Sequence, residues 1–148
     1  MYIEKDGKKH EAYNLIMKKE NALDIINGKK VLEIRAYTPF YASMFTDEEQ
    51  LALNEELREQ GRDEECVEPL KGIEYVHFHN YNNSWSLDVR IDDIGICSMD
   101  EEDLSYLAED FDFHDYDEEW QQYEHLPYEE KPMFYYLHVA EIINRENI

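Results

Sequence analysis

Residues 14–37 read "NLIMKKENALDIINGKKVLEIRAY" and compress a strand, a helix and a second strand into one short run. Tyr13 to Lys18 alternates as a half-buried strand does, with Leu15 and Met17 on one side. Glu20 to Asn27 carries Ala22, Leu23, Ile25 and Ile26 as an apolar stripe, which predicts a short helix. Asn27-Gly28 stops it, because Gly enters the left-handed conformation at a helix C-terminus without steric cost. Val31 to Tyr37 is the next strand, with Val31, Glu33 and Arg35 on one face and Leu32, Ile34 and Ala36 on the other.

Outward from this unit, residues 1–12 are polar and read as loose chain or a short added strand. Thr38-Pro39 breaks the second strand. Thr46 is expected to cap a helix with Asp47, Glu48 and Glu49 in its first turn, where acids complement the dipole, and the helix ends near Gly61. Leu51, Leu53 and Leu57 lie on that helix. Gly72 to Asn80 reads as a strand, Asn82 to Ser84 as a turn, and Trp85 to Ile96 as another strand. Asp100 to Asp110 reads as a helix capped by Ser98 or Asp100, residues 111–130 as an acidic, aromatic helical turn and loop closed by Pro127, and Phe134 to Ile143 as a closing strand. The expectation is an α+β fold: a small barrel or curled sheet of about five or six mostly antiparallel strands with flanking helices.

The 148 residues are 43% apolar and 14% aromatic, enough to bury a core despite 34% charged residues. A single domain over 1–148 is expected. No apolar run reaches membrane-spanning length, and the N-terminus lacks the apolar segment of a signal peptide. Cys66 and Cys97 show no paired spacing, so a reducing cytoplasm is the simpler expectation.

The net charge of −22 argues against a broad face for duplex nucleic acid, because such binding neutralises many phosphates. The charge is uneven. Residues 1–46 hold eight Lys/Arg against six acids, whereas 47–68 and 100–130 together hold 24 of the 36 acids. Such runs usually form a solvated face; a docking surface for a basic protein is the sharper alternative.

The stretch 14–37 resembles the opening of the ASCH family, whose fold is a PUA-like β-barrel. That opening is a strand ending in one or two lysines, a short helix, then G-[KR]-K-x-x-E-x-R on the next strand. Gly28, Lys30, Glu33 and Arg35 stand at those places. The strands at Tyr75 to Phe78 and Leu87 to Ile94, and the terminal "YYLHVAEI", follow the family outline less specifically. The acidic segments at about 47–68 and 100–130 read as elaborations on the family core. The resemblance implies recognition of RNA, a nucleotide or a modified nucleoside at the barrel mouth. Some small members hydrolyse the acetyl group of acetylated cytidine with a lysine, a threonine and a glutamate. Lys30 matches the lysine, but Glu33 stands at the threonine position, so the catalytic set is not reproduced. The family glutamate lies beyond the motif, among Glu101, Glu102 and Glu109.

Residue chemistry gives the same region its candidate roles. Lys18, Lys19, Lys29 and Lys30 can converge with Glu33 and Arg35 at one mouth if the strands pair as a barrel. A lysine binds phosphate or carbonyl oxygen as a point charge, and a desolvated one can act as base or nucleophile. Glu33 can accept from an exocyclic amine, and Arg35 can clamp Glu33 or hold phosphate. The alternative is a structural Glu33–Arg35 ion pair that touches no ligand. Trp85, with Tyr81, Tyr135 and Tyr136, can stack a base or fill the core. His77 and His79 share a strand face and can hold a metal, but with no third ligand evident a polar strand pair is preferred, and no metal or cofactor is assigned. Three functions follow: ligand binding at Lys30, Glu33 and Arg35; amidohydrolysis of a modified nucleoside with Lys30 and Glu33 as catalytic groups; or an acidic interaction module that mimics nucleic acid.

Overall fold

A computed structural model describes residues 1–148. The fold is α+β, with one six-stranded mixed sheet and four α-helices. The strands are β1 (Tyr2–Lys5), β2 (Lys8–Ile16), β3 (Leu32–Ala36), β4 (Tyr75–His79), β5 (Ser86–Ser98) and β6 (Met133–Glu146). The helices are α1 (Lys19–Ile26), α2 (Pro39–Phe45), α3 (Glu48–Glu59) and α4 (Glu101–Phe111). No helix is long and apolar enough to cross a membrane. Both cysteines are free thiols.

The chain divides into two compact units: Met1–Ala36 with Ile73–Ile148, and Tyr37–Gly72. The first holds the sheet, in the order β1-β2-β4-β5-β6-β3. All pairings are antiparallel except β2 with β4. The expected barrel does not close, since β1 and β3 remain unpaired edges.

The polar N-terminus takes the second of its two expected forms, a short added strand, and pairs with β2 as a hairpin. Asp6 and Gly7 both take positive φ, which matches the twist of β1 and β2 and joins them tightly. Met17 donates its N–H to the His79 carbonyl and continues the β2–β4 ladder by one bond. α1 ends as its sequence predicts: Gly28 has φ +72°, its N–H reaches the Ile25 carbonyl, and the Lys29 N–H reaches that of Asp24. This closure sets the direction in which Lys29 and Lys30 leave the helix.

β3 buries a residue on each of its faces, Leu32 on one and Glu33 on the other, which the strand pattern of 31–37 did not reveal. Leu32 and Ile34 pack with Leu104, Leu107, Phe134 and Tyr136, so α4 covers that face. On the other face Glu33 and Arg35 stand in register with Leu137 and Tyr135, both fully buried. Asp100 caps α4 by accepting from the Glu102 N–H, as expected. Bulges between Asp88 and Asp93 reset the β5–β6 register.

The second unit corrects two expectations. Pro39–Phe45 is a helix, capped by Thr38, where only a strand break was foreseen; Pro is well placed in a first helical turn. The cap of α3 is Asp47, which accepts from the Gln50 N–H, not Thr46. Thr46 instead bridges to Leu70. Asn54 on α3 is 1% exposed and clamps the returning chain, donating to the Val67 carbonyl and accepting from the Val67 N–H. Leu57 is buried, whereas Leu51 and Leu53 are exposed.

Candidate functional site

The residues of the basic cluster are brought together in two groups. In the first, three side chains form a linear ion chain. Lys30 Nζ lies 3.4 Å from Glu33 Oε2, and Arg35 Nε lies 3.5 Å from Glu33 Oε1. Glu33 is 4% exposed, and its Oε2 is buried without a hydrogen bond. Arg35 donates from Nη2 to the Ile16 carbonyl at 2.9 Å. A carboxylate so deeply placed needs opposite charge nearby, because burial of a lone charge is costly. Arg35 is held at both ends and therefore positions Glu33, while Lys30 remains the more exposed partner.

Lys30 also lines a cleft of about 320 Å³ with Lys29, Asp24, Leu32, Phe111 and Asp112. The cleft forms where the end of α1, the start of β3 and the end of α4 meet. The aspartates were not foreseen there. Asp24 meets Lys30 through the closure of α1, whose Asp24 carbonyl accepts from the Lys30 N–H, whereas Asp112 comes from a distant part of the chain and no local signal marks its arrival.

The second group is Lys18, Lys19 and Trp85, which line a groove of about 570 Å³ with Ile16, Met17 and Tyr81. Lys18 is the N-cap residue of α1, so the groove begins at the start of that helix. Trp85 is 5% exposed, and Tyr135 and Tyr136 are buried in the sheet. Of the four aromatics considered for stacking, only Tyr81 is open, at 83% exposure. Burial pushes the Tyr136 hydroxyl far above its ordinary range, aided by Tyr106 and Asp93, so it stays neutral. The two groups touch through one atom set: Ile16 lines the groove and its carbonyl holds Arg35.

Elsewhere, His114 sits between Asp112 Oδ1 at 2.8 Å and Asp117 Oδ2 at 3.0 Å, and both contacts raise its pKa. Glu101, Glu102 and Glu109 all lie on α4. No group of three or more His, Cys, Asp or Glu side chains is arranged to hold a metal. Compared with protein-family models, curated proteins and solved structures, the chain has no significant match.

Proposed function

We propose that this protein binds a nucleotide, a modified nucleoside or a short RNA end at the Lys30–Glu33–Arg35 chain. One observation carries the reading. Glu33 Oε2 is buried with no hydrogen bond, 3.4 Å from the partly exposed Lys30 ammonium. A ligand that draws the Lys30 ammonium aside with an oxygen and offers an N–H to the uncovered Glu33 carboxylate satisfies both groups. The carbonyl and amine edge of a cytosine-type base has that pattern, and acidic side chains accept from its amine. Arg35 keeps the carboxylate in place. The motif resemblance to the ASCH family supports the same choice. In this reading the curled sheet corresponds to a PUA-like barrel left open between its edge strands β1 and β3, in one cytoplasmic domain with the acidic segments at about 47–68 and 100–130 as elaborations.

The test is a fluorescence titration of wild type, Lys30→Ala and Glu33→Gln with nucleosides (acetylated cytidine included), nucleotides and short single-stranded RNA. Saturable binding that falls at least tenfold in Lys30→Ala supports the reading. Release of acetate from acetylated cytidine, abolished in Lys30→Ala, would replace it with amidohydrolysis. An absence of binding across the panel by folded protein sinks the nucleotide reading and turns attention to the acidic segments and a basic protein partner.

A further inference from the structure

On the other side of β4 from Val76 and Phe78, two imidazoles stand side by side. His77 and His79 alternate on one strand face, with ring centroids 5.5 Å apart. Each makes one hydrogen bond, and each uses the same nitrogen. His77 Nδ1 lies 2.5 Å from Asp88 Oδ1, and His79 Nδ1 lies 2.7 Å from the Asn80 carbonyl. A carboxylate and a carbonyl only accept. Both Nδ1 atoms must therefore carry a proton, so in the neutral form of each ring the lone pair stands on Nε2. His77 is partly open, with 18% of its side chain exposed, whereas His79 is 9% exposed.

This is the arrangement that metal-binding histidines use: the far ring nitrogen is fixed by a carboxylate or a backbone carbonyl, and the near one faces the ion. The spacing fits as well. With metal–nitrogen bonds of about 2.0 Å, two imidazoles on one ion have centroids no more than ~6.4 Å apart, and the observed spacing lies inside that limit. A catalytic dyad would account for His77 and Asp88 alone; a shared ion accounts for both rings. We propose that His77 and His79 form a two-histidine site for a divalent transition-metal ion such as Cu2+ or Zn2+, with Asp88 as a positioning residue. Because no third metal-binding side chain completes the set, water fills the remaining positions. The polar register neighbours Asn14 and Ser86 share this face and can hold such waters. The site is independent of the nucleotide reading.

Calorimetric titration with Cu2+ and Zn2+, in excess Mg2+ to occupy the acidic surface, measures the site. Wild type should bind one ion with micromolar affinity, Cu2+ more tightly than Zn2+. His77→Ala and His79→Ala should each lose at least tenfold, and Asp88→Asn should weaken binding by about tenfold or more while both histidines remain. His114→Ala should bind as wild type does. Electron paramagnetic resonance of the Cu2+ form of wild type needs no variant and should show two imidazole nitrogens on the ion. Fewer than two nitrogens, affinity indifferent to both histidine changes, or no binding to the folded wild type would overturn the assignment.

Discussion

The Arg35 guanidinium donates to the Ile16 carbonyl at 2.9 Å, although β3 and β2 are separated by three strands in the sheet order. The sheet curls until the end of β2 comes within side-chain reach of the β3 edge. What the backbone ladder leaves open, one arginine bridges, and the same arginine holds Glu33 from the side opposite Lys30.

Removal of Arg35 should therefore be severe. Arg35→Met leaves Glu33 buried beside Lys30 alone, and breaking a buried pair from one side costs about 3–5 kcal/mol. The double variant Glu33→Gln/Arg35→Met should recover much of that loss, since no uncompensated charge remains. Urea unfolding of the four-member cycle measures both quantities, and a double variant no more stable than Arg35→Met would refute the argument.

Gly95 marks a close approach. A Cβ built there would lie 2.6 Å from Tyr136 Cε1, so the ring occupies the space of the missing side chain. Gly95→Ala should destabilise by about 1–3 kcal/mol, as overpacking does. In the Tyr136→Ala background the same substitution should cost much less, because the clash is gone. Equal costs in the two backgrounds would show that Tyr136 is not the obstacle.

Asp100 accepts from Lys131 Nζ at 2.7 Å, and this bond, ahead of its contact with the Glu102 N–H, holds its pKa below the ordinary 3.8. Its stabilising effect is present above pH ~3.8 and is lost as pH falls through the lower folded value. Asp100→Asn keeps an N-cap but removes the charge. Wild type should exceed the variant in unfolding midpoint at pH 7, and the gap should narrow only below about pH 4.

His114 is exposed, yet its bonds to Asp112 and Asp117 raise its pKa above 6.5. NMR titration of its Cε1 proton should show that elevation. Asp117→Asn should bring the value part of the way down. The sign runs opposite to Asp100: the contribution to stability is complete below pH ~6.5 and fades as pH rises through the folded pKa. A titration centred at or below 6.5 would contradict the paired geometry.

Much of the local order was written in short sequence patterns. The helix of residues 19–26 and its arrest at Gly28 follow from apolar spacing and one permissive residue. The helix capped by Asp100 and the strands around residues 75–79 and 86–98 follow from the same kinds of signal. The hairpin at Asp6-Gly7 escaped notice because its strands are polar, and alternation of apolar residues is the usual guide. The helix at Pro39 escaped because proline reads first as a break.

For the candidate site, residue types and nearest neighbours were legible, and environment was not. That Glu33 and Arg35 share a strand face follows from a period of two. That this face is buried against Leu137 and Tyr135 depends on strand order, and a strand with both faces covered carries no alternation to announce it. Likewise, His77 and His79 are visibly paired in the sequence, but their proton positions were set by Asp88 on the next strand and by the Asn80 carbonyl. Local chain chemistry alone determined where helices start and stop. Only the folding of distant strands onto one another decided which charges meet, because register and burial are properties of neighbours that the chain does not place side by side.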